Sequence, residues 1–183
     1  VPGSGTVYGL WGTSSSNVWA VTSAGEVLRF NGTTWSLQHT AAQPLWTVFG
    51  VSLTDVVVAG ENGLVVRWNG SSWSTLPVLD AGTQAGVWMT GRNDIYVAGG
   101  NAAGTAGTAF NFNGTSWSSL QVGSTRVLTS IWGPSVFDLY VTGDAGTLLR
   151  FNGNSWSPIT TGTTDLLWSM SSAPNAIGGA FAV

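Results

Sequence analysis

One stretch, WGTSSSNVWAVTSAGEVLRFNGTTW at 11–35, recurs three more times along the chain. It returns as FGVSLTDVVVAGENGLVVRWNGSSW (49–73), MTGRNDIYVAGGNAAGTAGTAFNFNGTSW (89–117) and WGPSVFDLYVTGDAGTLLRFNGNSW (132–156). Measured at the closing tryptophans Trp35, Trp73, Trp117 and Trp156, the period is 38, 44 and 39 residues. A period near forty constrains the fold more than any other feature. A unit of that size cannot bury its own apolar faces and has to stack on its neighbours. The 183 residues divide into units at 7–44, 45–84, 85–126 and 127–165, with a partial unit at 166–183, all within one repeat domain.

Each unit reads as four short strands. The first includes the WG-like pair, at Val7–Trp11, Trp46–Phe49, Val87–Met89 and Thr129–Trp132, with a fifth copy at Leu166–Met170. The second follows a turn-closing Asn or Asp, at Asn17, Asp55, Asp94 and Asp138, and runs NVWAV, DVVVA, DIYVA and DLYVT. The third reads EVLRF, LVVRW, TAFNF and TLLRF, and the fourth begins around the closing Trp. Between third and fourth strands stand Asn31-Gly32, Asn69-Gly70, Asn113-Gly114 and Asn152-Gly153, the composition of a type I′ hairpin with positive φ at both residues. In the third strand Leu28 and Phe30 share one face while Val27 and Arg29 share the other, so neither face is simply wet. A radial stack of small sheets covers both faces of each sheet. The pattern therefore predicts an all-β fold, a β-propeller of four-stranded antiparallel blades with four full repeats and an incomplete fifth.

The ends and one loop break the pattern. LLWSMSSAPNAIGGAFAV reads as the first two strands of a fifth blade, and residues 1–6 as the tail of a fourth strand, which leaves the ring unfinished. Open sheet edges predict self-association or pairing with the missing blades of a longer chain. The opening VPGSGTVYG has neither an initiator Met nor a basic-then-apolar leader, as expected of a processed or excised chain. In the third unit the second-to-third connection expands at 100–107, which predicts a surface loop.

The combination WG…(N/D)-V-W-V-x-G…G…L-R-F-N-G-x-x-W resembles the tandem β-propeller repeats of large bacterial surface or secreted proteins, and more distantly kelch and tectonin propellers. The resemblance spans essentially the whole chain and implies a four-stranded blade. Propellers of this kind bind proteins, glycans or small ligands, and some frame enzymes, so the resemblance implies a fold more than an activity.

Composition narrows the function classes. Charged residues are 7% of the chain, and five arginines without a lysine stand against eight acids. That balance gives no basic footprint and no nucleic-acid partner. The absence of cysteine excludes a disulfide framework, a thiolate metal site and a cysteine nucleophile. No run of eighteen apolar residues predicts a membrane span. A lysine-free surface rich in Ser, Thr, Asn and Trp points to an extracellular or cell-surface bacterial setting.

Candidate residues fall into two groups. Arg29, Arg67 and Arg150 recur at one phase and are expected to be structural, pairing with acids such as Asp55, Asp94 and Asp138. Trp35, Trp73, Trp117 and Trp156 hold a constant place after the turn and are expected in the core. The ligand-binding candidates are Trp11, Trp46, Trp88, Trp132 and Trp168, whose indoles suit sugar faces or apolar side chains, together with Arg92, Arg126 and Asn111, which depart from the repeat. No metal or cofactor is implied: Glu61 and Asp144 are isolated donors, and His39, the sole histidine, is expected in a Gln-His-Thr loop. Asp80, Asp94 and Asp165 are available acids without a marked pair. The leading expectation is a non-catalytic scaffold or recognition propeller with a protein ligand. A lectin-like glycan binder is the alternative, and a glycoside-processing enzyme ranks lower.

Overall fold

Runs rich in Val, Leu and aromatic residues, each closed by Gly, Asn or Asp, form antiparallel strands throughout this computed structural model, which describes residues 3–76, 80–172 and 180–182. Blade 1 is β1 (Val7–Ser14), β2 (Asn17–Thr22), β3 (Glu26–Phe30) and β4 (Trp35–Thr40). Blade 2 is β5 (Leu45–Ser52), β6 (Asp55–Gly60), β7 (Val65–Trp68) and β8 (Trp73–Thr75). Blade 3 is β9 (Gln84–Gly91), β10 (Asp94–Gly100), β11 (Gly107–Phe112) and β12 (Trp117–Ser119). Blade 4 is β13 (Leu128–Ser135), β14 (Asp138–Gly143), β15 (Leu148–Phe151) and β16 (Trp156–Pro158). Each of these sheets runs in sequence order, and a two-stranded sheet of β17 (Met170–Ser172) and β18 (Ala180–Ala182) begins a fifth unit. The connection at 173–179 lies outside the described residues. The first strands β1, β5, β9, β13 and β17 contact one another in that order, so they are the inner strands.

The core lies between blades. On β2, Trp19 and Val21 face blade 2, where with Val27 they meet Val48, Val56, Val58 and Val66. Across the next interface Val57, Ala59 and Val65 meet Val87, Ile95, Val97 and Phe110. The third joins Trp88, Tyr96 and Ala98 to Leu128, Ile131, Leu139 and Val141. Successive residues of one middle strand thus enter two different cores, which is why DVVVAG is buried along its whole length and shows no polar alternation.

Two local expectations are corrected. The Asn-Gly turns are not two-residue type I′ hairpins. Phe30 pairs with Trp35, which leaves the four residues 31–34 in the loop, and only the glycine has positive φ: 99° at Gly32, 96° at Gly70, 94° at Gly114 and 91° at Gly153. Asn31 instead closes the turn with its side chain, Oδ1 accepting the Thr33 and Thr34 amides at 2.9 Å, and the other three asparagines do the same. His39 is not in a loop either. It lies in β4, paired with Val27, and its ring stacks on Trp73 of blade 2 at 5.2 Å between centroids, where burial lowers its pKa.

The enlarged connection in blade 3 is a loop at 101–106 held at both ends. Asn101 Oδ1 accepts the Thr105 and Ala106 amides, and Asp80 Oδ1 accepts those of Gly82 and Ala102. Residues 3–6 form no strand; Thr6 bonds to Ser23, and Ser4 N–H donates to Glu26, across the β2–β3 turn. Residues 1–2 lie outside the described residues.

The turn geometry sets a test. A Cβ on Gly70 would stand 2.8 Å from Thr54 Cβ and require positive φ of an L-residue, whereas one on Gly91 meets open space. Gly70→Ala is expected to cost about 1–3 kcal/mol in urea unfolding, and Gly91→Ala to stay within about 0.5 kcal/mol of wild type.

Candidate functional site

The inner strands carry the same irregularity at the same place. Val7 pairs with Thr22 and Gly9 with Val21, so Tyr8 is an extra, unpaired residue; Trp46, Ala85 and Thr129 are its counterparts in β5, β9 and β13. Such a bulge turns one side chain out of the strand's alternation and bends the strand. All four bulge residues border a single cavity of about 710 Å³ that is lined by all five inner segments, Trp168 to Ser171 of the fifth unit included. This is the central channel of the blade stack. Among the described residues its lining holds aromatic, aliphatic, Met, Gly, Ser and Thr residues and no charged side chain or histidine.

The five first-strand tryptophans all line the channel and fall into two sets by their place in the strand. Trp11, Trp88 and Trp132 follow the bulge by three residues and pack with the inter-blade cores, Trp11 against Phe49 at 6.0 Å and Trp88 only 6% exposed beside Tyr96. Trp46 is itself a bulge residue and stacks on Tyr8 with centroids 4.4 Å apart and planes 3° from parallel. Trp168 is 61% exposed, the most open tryptophan at the channel. Sequence reasoning passed over Tyr8, Ala85 and Thr129. The signal available was their constant offset of three residues before Trp11, Phe49, Trp88 and Trp132, but their residue types have nothing in common.

The repeated arginines bind within their own blades. Arg67 Nε donates to Asp55 Oδ1 at 3.0 Å, and Arg150 Nε and Nη2 to Asp138 at 2.7 and 3.1 Å. In blade 1 Arg29 Nε donates to Asn17 Oδ1 at 2.9 Å, and in blade 3 Asn111 Nδ2 takes the arginine's part toward Asp94 Oδ1 at 3.0 Å. Each bond ties the start of a blade's second strand to its third. Asp138 holds the Arg150 guanidinium above its ordinary range, and Tyr140 contributes. Burial, then the neighbouring Asp94, pushes the Tyr96 hydroxyl well above its ordinary value. Arg92, exposed on the β9–β10 turn, reaches back to Asp55 of blade 2 at 3.9 Å. Arg126 borders a smaller cavity of about 370 Å³ with Leu149, Trp156 and Pro158, away from the channel.

The closing tryptophans all lie against apolar partners. Trp35 meets Phe30 at 5.4 Å, Trp73 meets Trp19 edge-on at 5.8 Å, and Trp117 meets Phe112 at 5.2 Å. Trp156 donates its indole N–H to Leu120 O at 3.0 Å. The acids are locally engaged: Asp94 also accepts from Thr90, and Asp165 accepts from Thr163. Among the described residues no three His, Asp or Glu side chains converge as a metal site, and no helix is long and apolar enough to cross a membrane.

No protein-family profile and no curated protein matches the chain. Solved structures do. The WD40 β-propeller domain of Doa1 superimposes with a TM-score of 0.74 at 13% identity, over 91% of this chain and 58% of that one. YCF48 from Cyanidioschyzon merolae gives 0.71 at 17% identity, over 100% and 65%, and YCF48 bound to D1 peptide gives 0.70 at 16%, over 95% and 61%. At these identities the likeness establishes the fold, and the fold is a β-propeller. The chain spans about three fifths of the length of these neighbours.

The intrablade pairs differ enough in burial to be told apart. The Asp55 and Arg67 side chains are 8% and 11% exposed, and those of Asp138 and Arg150 26% and 47%. Asp55→Ala strands a buried guanidinium and is expected to cost about 3–5 kcal/mol. Asp138→Ala, at a half-exposed pair, is expected to cost less than about 1 kcal/mol, both read from urea unfolding.

Proposed function

We propose that the chain is a non-catalytic recognition and assembly propeller whose first blade takes another blade-like surface against its open face. One comparison carries the reading. Val48, Val87 and Ile131 are 6%, 6% and 3% exposed because each receives the preceding blade, whereas Leu10, at the same place in β1, is 63% exposed. Val7 and Leu37 on the same side of blade 1 are 41% and 53% exposed. Burying one such side chain is worth about 1.5–3 kcal/mol, so a matching surface has a ready source of affinity. The occupant is a second copy or further blades of a longer chain, since the equivalent faces here are all covered by blades.

A binding role also fits the channel, where the described lining residues include no acid or histidine for proton transfer. The sugar-binding reading has less support: three of the five first-strand tryptophans are partly taken up in packing against the inter-blade cores, and among the described residues the channel wall offers no carboxylate or amide side chain to sugar hydroxyls. That a structural neighbour, YCF48, was solved with a peptide is in keeping with protein recognition. The nearly uncharged, lysine-free surface supports an extracellular or cell-surface setting.

Sedimentation equilibrium over a concentration series tests the reading. The isolated chain is expected to show a weight-average mass above one chain that rises with concentration, and Leu10→Asp to return it to one chain with unchanged circular dichroism. A wild-type chain that stays monomeric throughout would overturn pairing with a second copy.

A further inference from the structure

The four turns between third and fourth strands bring an asparagine side chain, a glycine amide and two further main-chain donors together in one repeated arrangement. Asn31, Asn69, Asn113 and Asn152 are all exposed. The side-chain Oδ1 of each accepts the amides of the second and third residues after it. Both bonds are 2.9 Å at Asn31 and at Asn69, 3.0 and 2.9 Å at Asn113, and both 3.0 Å at Asn152. The ring that each bond closes contains the intervening glycine nitrogen. Among the described residues the N–H groups of Gly32, Gly70, Gly114 and Gly153 have no main-chain acceptor.

This arrangement favours a reaction within the turn. Two N–H groups on a carbonyl oxygen draw charge from its carbon, and they stabilise the negative charge that gathers on the oxygen when the carbon is attacked. Glycine carries no side chain to hinder the approach of its own nitrogen. A fifth Asn-Gly pair supplies the contrast within the same molecule. Asn62, in the turn between β6 and β7, is exposed as well, with φ at 55°. There the Gly63 N–H donates to Gly82 O at 2.7 Å, so its proton is already committed to an acceptor. The dipeptide and its exposure are the same in all five places; the hydrogen bonds around it are not.

We propose that the four hairpin turns are sites of self-modification, at which Asn31, Asn69, Asn113 and Asn152 lose their side-chain amides to attack by the following glycine nitrogen. Solvent hydroxide takes the glycine N–H proton, the nitrogen bonds to asparagine Cγ, and negative charge passes to Oδ1, where the two amides hold it. The Cγ–Nδ2 bond then breaks, and the nitrogen leaves as ammonia with a proton from water, so that a five-membered cyclic imide remains. Water opens the imide at either carbonyl and leaves aspartate or isoaspartate. Each event replaces a neutral amide by a carboxylate. All four turns lie at one end of the blade stack, because each glycine abuts the turn between first and second strands of its own blade, Gly32 at Ser16, Gly70 at Thr54, Gly114 at Asn93 and Gly153 at Phe137. The same end carries Arg29, Arg67, Arg92 and Arg150 against Asp55, Asp94 and Asp138, so completion at all four turns reverses the sign of its charge.

Incubation of the folded protein in ¹⁸O-labelled water at mildly alkaline pH, followed by peptide mapping in a mass spectrometer, tests it. Each of the four turns is expected to gain one ¹⁸O, as a mixture of aspartate and isoaspartate, about tenfold faster than Asn62. In urea neither the amide pairs nor the Gly63–Gly82 bond persists, and all five pairs are expected to label at similar rates. Turns that stay unlabelled in the folded protein, labelling of Asn62 as fast as the other four, or the same gap between them in urea would each overturn the proposal.

Discussion

A four-stranded sheet with apolar residues on both faces cannot stand in water alone, and here every blade is such a sheet. Val56 and Val58 need blade 1, while Val57 and Ala59 of the same strand need blade 3. Mutual coverage between neighbours supplies what no single unit has, an enclosed core. The rest of the structure follows from it. The closing tryptophans Trp73, Trp117 and Trp156 each pack against one of the three inter-blade cores. The Arg67–Asp55 and Arg150–Asp138 bonds lie within blades, where they join second and third strands, and Arg92 of blade 3 adds a longer contact to Asp55 of blade 2. The same dependence singles out the first blade, whose inner-strand residue Leu10 meets solvent where its counterparts meet a neighbour.

Variation around the channel falls where the repeat permits it without loss of packing. Two residues after the bulge, Val48, Val87 and Ile131 enter the cores, and Leu10 at the same place is also apolar. The bulge position sits outside that alternation, and its side chains make their own contacts between units, Tyr8 with Trp46 and Thr129 with Leu167. Tyr, Trp, Ala, Thr and Trp occupy it around the channel. An asymmetric channel wall thus arises in a nearly symmetric scaffold. Similar variation marks the second-to-third-strand connection of blade 3, although there Asn101 and Asp80 consume the polar groups in holding the loop.

The blade was legible in the sequence because its determinants are local and repeated. Asn17, Asp55, Asp94 and Asp138 mark the second strands, and two-sided apolar third strands require a stack. Features set by pairing across strands were not legible. The bulges are defined by what Tyr8 or Ala85 fails to pair with, and no residue type announces that. For the same reason Trp46 and Trp168 could not be separated from Trp11, Trp88 and Trp132, which line the channel too but also pack against the inter-blade cores. The Asn-Gly pairs located the turns correctly but not their type, since the Phe30–Trp35 pairing fixes the loop at four residues and frees the Asn side chain to close it. His39 was misread because the fourth strand of blade 1 runs six residues where the others run three, extended along Trp73 of the next blade.

Amide hydrogen exchange measured strand by strand at two protein concentrations tests the dependence of each blade on its neighbours most directly. Protection of β6 and β10, covered on both faces, should be the highest and independent of concentration. That of β1 should be lower and rise with concentration as its open face is covered. Equal, concentration-independent protection of β1, β5, β9 and β13 would contradict the account.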